Sequence, residues 1–189
     1  MKILVLDNYD SFTYNLVHIL KELTKGPVDV FRNDEISVED VGNYHKILIS
    51  PGPGVPDQAG ITKRMIKQYG PSKSILGVCL GCQAIGEVYG GSLINLERVY
   101  HGIETQIHVV NENNRLFKGI PQTFTAGRYH SWVVSEDGLP SEIRITAKDD
   151  EGRIMAVEHI TFDVKGVQFH PESVMTEHGK QILLNWLNI

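Results

Sequence analysis

Cys79 stands at the centre of Gly77-Val78-Cys79-Leu80-Gly81, a glycine-x-nucleophile-x-glycine pattern with cysteine as the nucleophile. The apolar run Ser74 to Val78 precedes it, and a helical pattern over Leu80 to Tyr89 follows. A sharp strand-to-helix turn pushes its central side chain out at the carboxyl edge of a sheet. The two backbones then run close together, and glycine at the flanking positions removes the Cβ clash. Free N–H groups and the dipole at the helix N-terminus favour a thiolate. The Leu80 N–H is directed to where an oxyanion would form.

A thiol nucleophile needs a base that is near in space, not in sequence. Of eight histidines, His170 has the best setting, at the end of the strand-like Val167 to Phe169. Pro171 biases His170 toward extended geometry, and residues i and i+2 of an extended segment share a face. Glu172 can therefore accept a hydrogen bond from one ring nitrogen and leave the other for Cys79, the logic of a triad. His101 and His130, in polar segments beside Gly102 and Ser131, could line a site. Competing readings stay open at this level. Cys79 could be a buried structural thiol. Cys79-Leu80-Gly81-Cys82 could be a C-x-x-C redox pair. His170 could merely end a strand, with Glu172 a solvated charge. Two cysteines without a second ligand pair argue against zinc.

Pro51-Gly52-Pro53-Gly54-Val55-Pro56 follows another apolar run and should lie at the same sheet edge as the elbow. The prolines lack N–H groups, so Gly52, Gly54 and Val55 must supply any backbone donors. Gly52 is the choice for a second oxyanion donor beside Leu80. The loop lacks the G-K-[ST] and G-x-G-x-x-G signatures of phosphate binding. A rigid turn is the plain alternative.

The elements that must position these residues are legible from periodicity. Lys2 to Leu6, Val28 to Phe31, Lys46 to Ser50 and Ser74 to Val78 read as strands. Phe12 to Leu23, capped by Asp10 or Ser11, Ile61 to Tyr69 and Leu80 to Tyr89 read as helices. Their alternation predicts an α/β fold with a mostly parallel central sheet and flanking helices. In the second half, Gly91 to Leu96, Ile103 to Val110, Phe124 to Val134, Glu142 to Ala147, Arg153 to His159 and Phe162 to Phe169 are strand-like. They suggest a smaller antiparallel addition before a closing helix, Gly179 to Leu187. With 189 residues, 41% hydrophobic and 22% charged, residues 1–189 are expected to form one domain. The net charge of −5 comes with scattered Lys and Arg, which argues against nucleic acid as a partner. Met1 to Asp10 lacks the form of a signal peptide, and no apolar stretch is long enough to span a membrane, so a cytoplasmic protein is expected.

Gly77 to Gln83 together with Phe169-His170-Pro171-Glu172-Ser173 resembles the class I glutamine amidotransferases. Asp7 to Asn15 and Ser50 to Gly54 narrow the likeness to anthranilate synthase component II and the related glutaminase of para-aminobenzoate synthesis, across the whole chain. The resemblance implies a flavodoxin-like sheet and hydrolysis of L-glutamine through a Cys79 thioester. It implies glutamine contacts from Gly52, Pro53, Gly54, Leu80, Gln83, Ser131 and Trp132, with the oxyanion on the Gly52 and Leu80 amides. Ammonia would pass to a chorismate-utilising partner, component I of anthranilate synthase or of aminodeoxychorismate synthase. Tyr9 to Phe12 would lie toward that partner. No cofactor is implied for this chain, and Mg2+ is expected in the partner. Three positions depart from the family pattern: Cys82 for His or Met, Trp132 for Leu, and Ile103 for Lys. No second catalytic domain follows Ile189, so one subunit of a heteromer is expected. A stand-alone cysteine hydrolase and a binding-only relative are the rivals outside this reading.

Overall fold

Strands without polar alternation must be covered on both faces, and the computed structural model shows this for the residues it describes, 1–111 and 113–189. β1 (Ile3–Asp7), β3 (Lys46–Ile49) and β4 (Ser74–Val78) are buried throughout. With β2 (Val28–Arg32) they pair in parallel in the order β2-β1-β3-β4. β11 (Val164–Val167) lies parallel on the other side of β4, with Val167 opposite Val78. β10 (Ile154–His159), β9 (Ile143–Asp149), β6 (Ile103–Val109) and β7 (Thr123–Arg128) continue the same sheet antiparallel, giving nine strands. β5 (Leu93–Asn95) and β8 (Trp132–Val134) form a small separate antiparallel ribbon.

Two expectations about the strands change. Phe162 to Phe169 reads as part of the antiparallel addition, but its strand β11 belongs to the parallel core and is antiparallel only to β10. Phe124 to Val134 reads as one strand, but Tyr129-His130-Ser131 separates β7 from β8. The backbone there turns to other partners: the Leu96 N–H donates to the Ser131 carbonyl and the Tyr100 N–H to that of His130. Periodicity cannot see such a change of partner, because the side chains on either side of the break remain strand-like.

Alternation along the strands fixes the layers. Ile3 and Val5 share one apolar cluster with Leu16, Val17 and Leu20 of α1 (Thr13–Leu23) and Ile182, Leu183 and Trp186 of α5 (Gly179–Leu187). Leu4 and Leu6 share the other with α2 (Val38–Val41), α3 (Thr62–Tyr69) and α4 (Leu80–Val88). The short α2 goes unread in the sequence and is capped by the Ser37 hydroxyl, which accepts from the Asp40 N–H at 3.1 Å. At α1 the expected capping by Asp10 or Ser11 gives way to a different arrangement. Phe12 holds the cap position without a side-chain bond. Asp10 accepts from the Phe12 N–H at 2.7 Å, and Asp7 from the Thr13 hydroxyl at 2.8 Å. Among the described residues no helix is long and apolar enough to cross a membrane.

The closest crossing of strand and helix is at the turn between β4 and α4. A Cβ on Gly77 would stand 2.4 Å from the Gly81 backbone, and one on Gly81 would stand 2.8 Å from the Ile49 carbonyl oxygen. Neither neighbour is a flexible side chain that could move aside. Gly77→Ala is expected to destabilise the fold by on the order of 3 kcal/mol. Urea unfolding checks this, and an unchanged midpoint would contradict the packing described.

Candidate active site

Cys79 sits between the last residue of β4 and the first of α4 with φ 52° and ψ −102°. A non-glycine residue in such a conformation is strained by roughly 1–3 kcal/mol and persists only when its surroundings over-determine it. Here both sides are pinned. The Cys79 N–H donates to the Val167 carbonyl of β11 at 2.8 Å, and its own carbonyl accepts from the Gln83 N–H at 3.1 Å. The Cys79 thiol is free and 95% shielded from solvent. Cys82, one turn on, is also free but faces the opposite apolar cluster, packed against Gly166. Burial pushes its thiol strongly upward, with the neighbouring Cys79 adding to this. A thiol so placed counts against the C-x-x-C redox reading.

Because β11 lies beside β4, the residues after Val167 pass Cys79. His170 is anchored at both backbone ends: its N–H donates to the Gly127 carbonyl at 3.1 Å, and its carbonyl accepts from the Thr176 hydroxyl. Its Nδ1 meets Glu172 Oε1 at 2.6 Å, with both side chains almost fully buried. Its Nε2 is buried and makes no hydrogen bond among the described residues. The Cys79 side chain is nonetheless its strongest charge-stabilising neighbour. Burial disfavours the imidazolium, but Cys79 and Glu172 outweigh it and raise the His170 pKa to about 10. The rings of Tyr129 and Phe12 flank His170 at 4.8 and 6.0 Å between centroids.

Cys79 opens on a cavity of about 190 Å³ lined also by Gly52, Pro53, Gly54, Gln83, Ser131 and Trp132. These residues come from the β3–α3 loop, α4, and the break between β7 and β8 with the first residue of β8. Leu80 does not line it, since its side chain is in the core. Only its N–H, at the start of α4, is available to the site. No turn or loop hydrogen bond among the described residues is donated by Gly52 or Leu80. Gly52 is wedged against Asn8, where a Cβ would meet the Asn8 carbonyl oxygen at 2.7 Å. Val99, Tyr100, His101, Tyr129 and His130 complete the wall. His101 and His130 were legible as polar-segment histidines, but Tyr100 and Gln168 were not. Gln168 is fully buried and donates to Cys79 Sγ at 3.6 Å. A larger cleft of about 490 Å³ beside Asp34 to Glu39 holds neither cysteine nor histidine, so the smaller cavity carries the chemistry.

Comparison with known proteins gives the family. The family model for class-I glutamine amidotransferase matches residues 4–189. The chain belongs to this family. It is 46% identical over its full length to the bifunctional protein TrpGD of Thermotoga maritima, of which it spans 32%. It is 44% identical to the aminodeoxychorismate/anthranilate synthase component 2 of Bacillus subtilis, over 98% of this chain and 95% of that protein. A solved structure from Thermoplasma acidophilum, described as that of a GMP synthase subunit, superposes with a TM-score of 0.89 at 25% identity, covering all of this chain and 92% of that one. The fold is thus that of the glutamine amidotransferases, and the chain is of the anthranilate synthase component II type.

In this amidotransferase the wall of the cavity is braced by a buried ion pair. Arg128 Nη1 meets Asp149 Oδ2 at 2.7 Å, and both side chains are essentially inaccessible. The Arg128 guanidinium lies 3.8 Å over the Tyr100 ring, and its Nε donates to His130 Nε2 at 3.0 Å. His130 must therefore be unprotonated at Nε2. Burial and the Arg128 charge depress its pKa to about 3. A histidine depressed in the folded chain contributes stability that is present above its unfolded value near 6.5 and lost as pH falls toward 3. At pH 5 this loss is expected to be on the order of 2 kcal/mol. Urea unfolding at pH 7 and pH 5 should show a smaller drop for His130→Gln than for the unsubstituted chain, and equal drops would refute the assignment.

Proposed function

We propose that this chain is the glutaminase subunit of an anthranilate synthase, with Cys79 the nucleophile, His170 its acid–base partner and Glu172 the group that orients His170. The observation that carries the reading is His170 itself. It is bonded through Nδ1 to Glu172 at 2.6 Å and keeps a buried, unshared Nε2 beside Cys79. In this reading glutamine lies in the cavity against Gly52, Pro53, Gly54, Gln83, Ser131 and Trp132. Cys79 Sγ attacks the amide carbon, and the oxyanion forms between the Gly52 and Leu80 N–H groups. The C–N bond breaks as His170 donates its proton to the leaving nitrogen, releasing ammonia and leaving a glutamyl thioester. His170 then takes a proton from water, which attacks the thioester. Glutamate leaves, and the thiol recovers its proton.

Free ammonia is useful only if it is passed on. The reading therefore includes a chorismate-utilising partner, which carries the Mg2+, while this chain needs no cofactor and works in the cytoplasm as one domain. Exposed apolar side chains around the site support a docking face. Val99 lines the cavity, Val174 follows Glu172 by two residues, and Tyr9 and Tyr14 bracket Phe12 at the His170 ring. The second reading, supply of an aminodeoxychorismate synthase or of both enzymes, is favoured by the double name of the Bacillus subtilis relative.

Turnover of amide-labelled glutamine with chorismate and each candidate partner in turn, with identification of the aromatic product, separates the two. Anthranilate is expected, with turnover several-fold higher when the partner is bound. Cys79→Ser should lower turnover by roughly a thousandfold or more, and Glu172→Gln by roughly a hundredfold. Full activity in Cys79→Ser would end the nucleophile assignment.

A further inference from the structure

Gln168 and Gln83 form a two-amide relay that ends on the nucleophile. Gln168 follows β11, its N–H donates to the Met155 carbonyl of β10 at 2.8 Å, and its side chain has no solvent contact. The polarity of the relay follows from its far end. The Trp132 carbonyl can only accept, and it lies 2.8 Å from Gln83 Nε2, so that atom of Gln83 must be the nitrogen. The same nitrogen lies 3.3 Å from the side-chain amide of Gln168, which must therefore present its oxygen there. Its own Nε2 is left to face Cys79 Sγ, at 3.6 Å. Each amide orientation is set by the one before it, beginning at a backbone atom that cannot reverse.

We propose that Gln168 holds the Cys79 sulfur as a dedicated hydrogen-bond donor, and that Gln83 acts on the nucleophile by fixing the orientation of that donor. This rests on Cys79 being the nucleophile. A donor to sulfur matters most when the sulfur is charged, because hydrogen bonds to ionised groups are about twice as strong as neutral ones. His170 supplies the counter-charge and the proton, while Gln168 supplies a fixed donor that cannot be deprotonated. The relay begins at the carbonyl of Trp132, within the wall that is proposed to hold glutamine, so a shift of that segment on binding reaches the sulfur through three hydrogen bonds. The charged and titratable groups around Cys79 are His170 with Glu172 behind it, Tyr100, His101, Tyr129 and His130 on the cavity wall, and Cys82 on the next turn of α4, whose thiol is turned to the opposite apolar cluster. Asp10 stands near His170 from the β1–α1 turn.

Gln168→Met keeps the volume and removes the donor. In the chain bound to its partner, kcat for glutamine is expected to fall about tenfold with KM changed less than twofold, the loss set by one hydrogen bond to a charged group. Alkylation of Cys79 by iodoacetamide at pH 7, read by mass spectrometry, should slow by a similar factor. Gln168→Glu supplies an acceptor at neutral pH and a donor only when protonated, so its alkylation rate relative to the unsubstituted chain should recover as pH falls. Should neither variant fold, the assigned Gln168 side-chain amide signal in the unsubstituted, isotope-labelled protein should move when Cys79 is alkylated. Normal alkylation and kcat in folded Gln168→Met, a pH-independent ratio for Gln168→Glu, or an unmoved Gln168 amide would each overturn the proposal. Alkylation reads the sulfur without glutamine turnover, so failure here is distinct from retained activity in Cys79→Ser, which would instead remove the nucleophile.

Discussion

The pairing of β11 with β4 is the constraint on which the site depends. Val167 stands opposite Val78, and the Val167 carbonyl takes the Cys79 N–H. That one register brings a segment nearly half the chain away past the elbow and sets Gln168, His170 and Glu172 around one sulfur. A slip by one residue would turn each of those side chains to the opposite face. Gly166 takes part from the other side, since a Cβ there would meet Cys82 Sγ at 2.8 Å. The strand can lie against α4 only because no side chain intervenes. The strain at Cys79 is thus held by packing and hydrogen bonds on both neighbours, which fixes the direction of its side chain.

Electrostatics divides the site into two histidines with opposite fates. His170 and His130 are both buried, so burial disfavours charge on each. His170 faces a carboxylate and a thiol, which restore the charge. His130 faces a guanidinium, which removes it. The Arg128 charge is itself tolerated in the interior because Asp149 meets it at 2.7 Å and the Tyr100 ring lies beneath it. Asp149 is further held by the N–H groups of Glu151 and Arg153. A charged brace behind the cavity thereby keeps one imidazole neutral as wall, while Cys79 and Glu172 hold the other in its charged form.

Backbone contacts hold the cavity wall in place. The Trp132 carbonyl accepts from Gln83 Nε2 at 2.8 Å, and Gly52 is wedged against Asn8. The Gly52 segment is fastened from below by Asn8, whose N–H donates to Ser50 Oγ and whose side-chain amide donates to the Ser50 carbonyl. Trp132 in place of the usual leucine leaves this arrangement intact, because what meets Gln83 is its carbonyl.

The elbow was readable in the sequence because its requirements are local. A strand run, two glycines and a helix run are contiguous, and sterics alone demand them. The pairing of His170 with Glu172 was readable, but not its reason: the chain does not run extended there but turns, with the Ser173 N–H donating to the His170 carbonyl at 3.2 Å, and the turn brings the two side chains together at 2.6 Å. The alternating elements of the first half likewise announced the parallel sheet. Only the tertiary structure decided that β11 enters that sheet beside β4, and that Tyr129-His130-Ser131 breaks an apparently continuous strand. It alone set Arg128 and Asp149 together and placed Gln168 on the sulfur. These depend on which strand lies next to which and on the direction of an amide. The free energies that settle such choices come from contacts between residues distant in the chain, which no local pattern encodes.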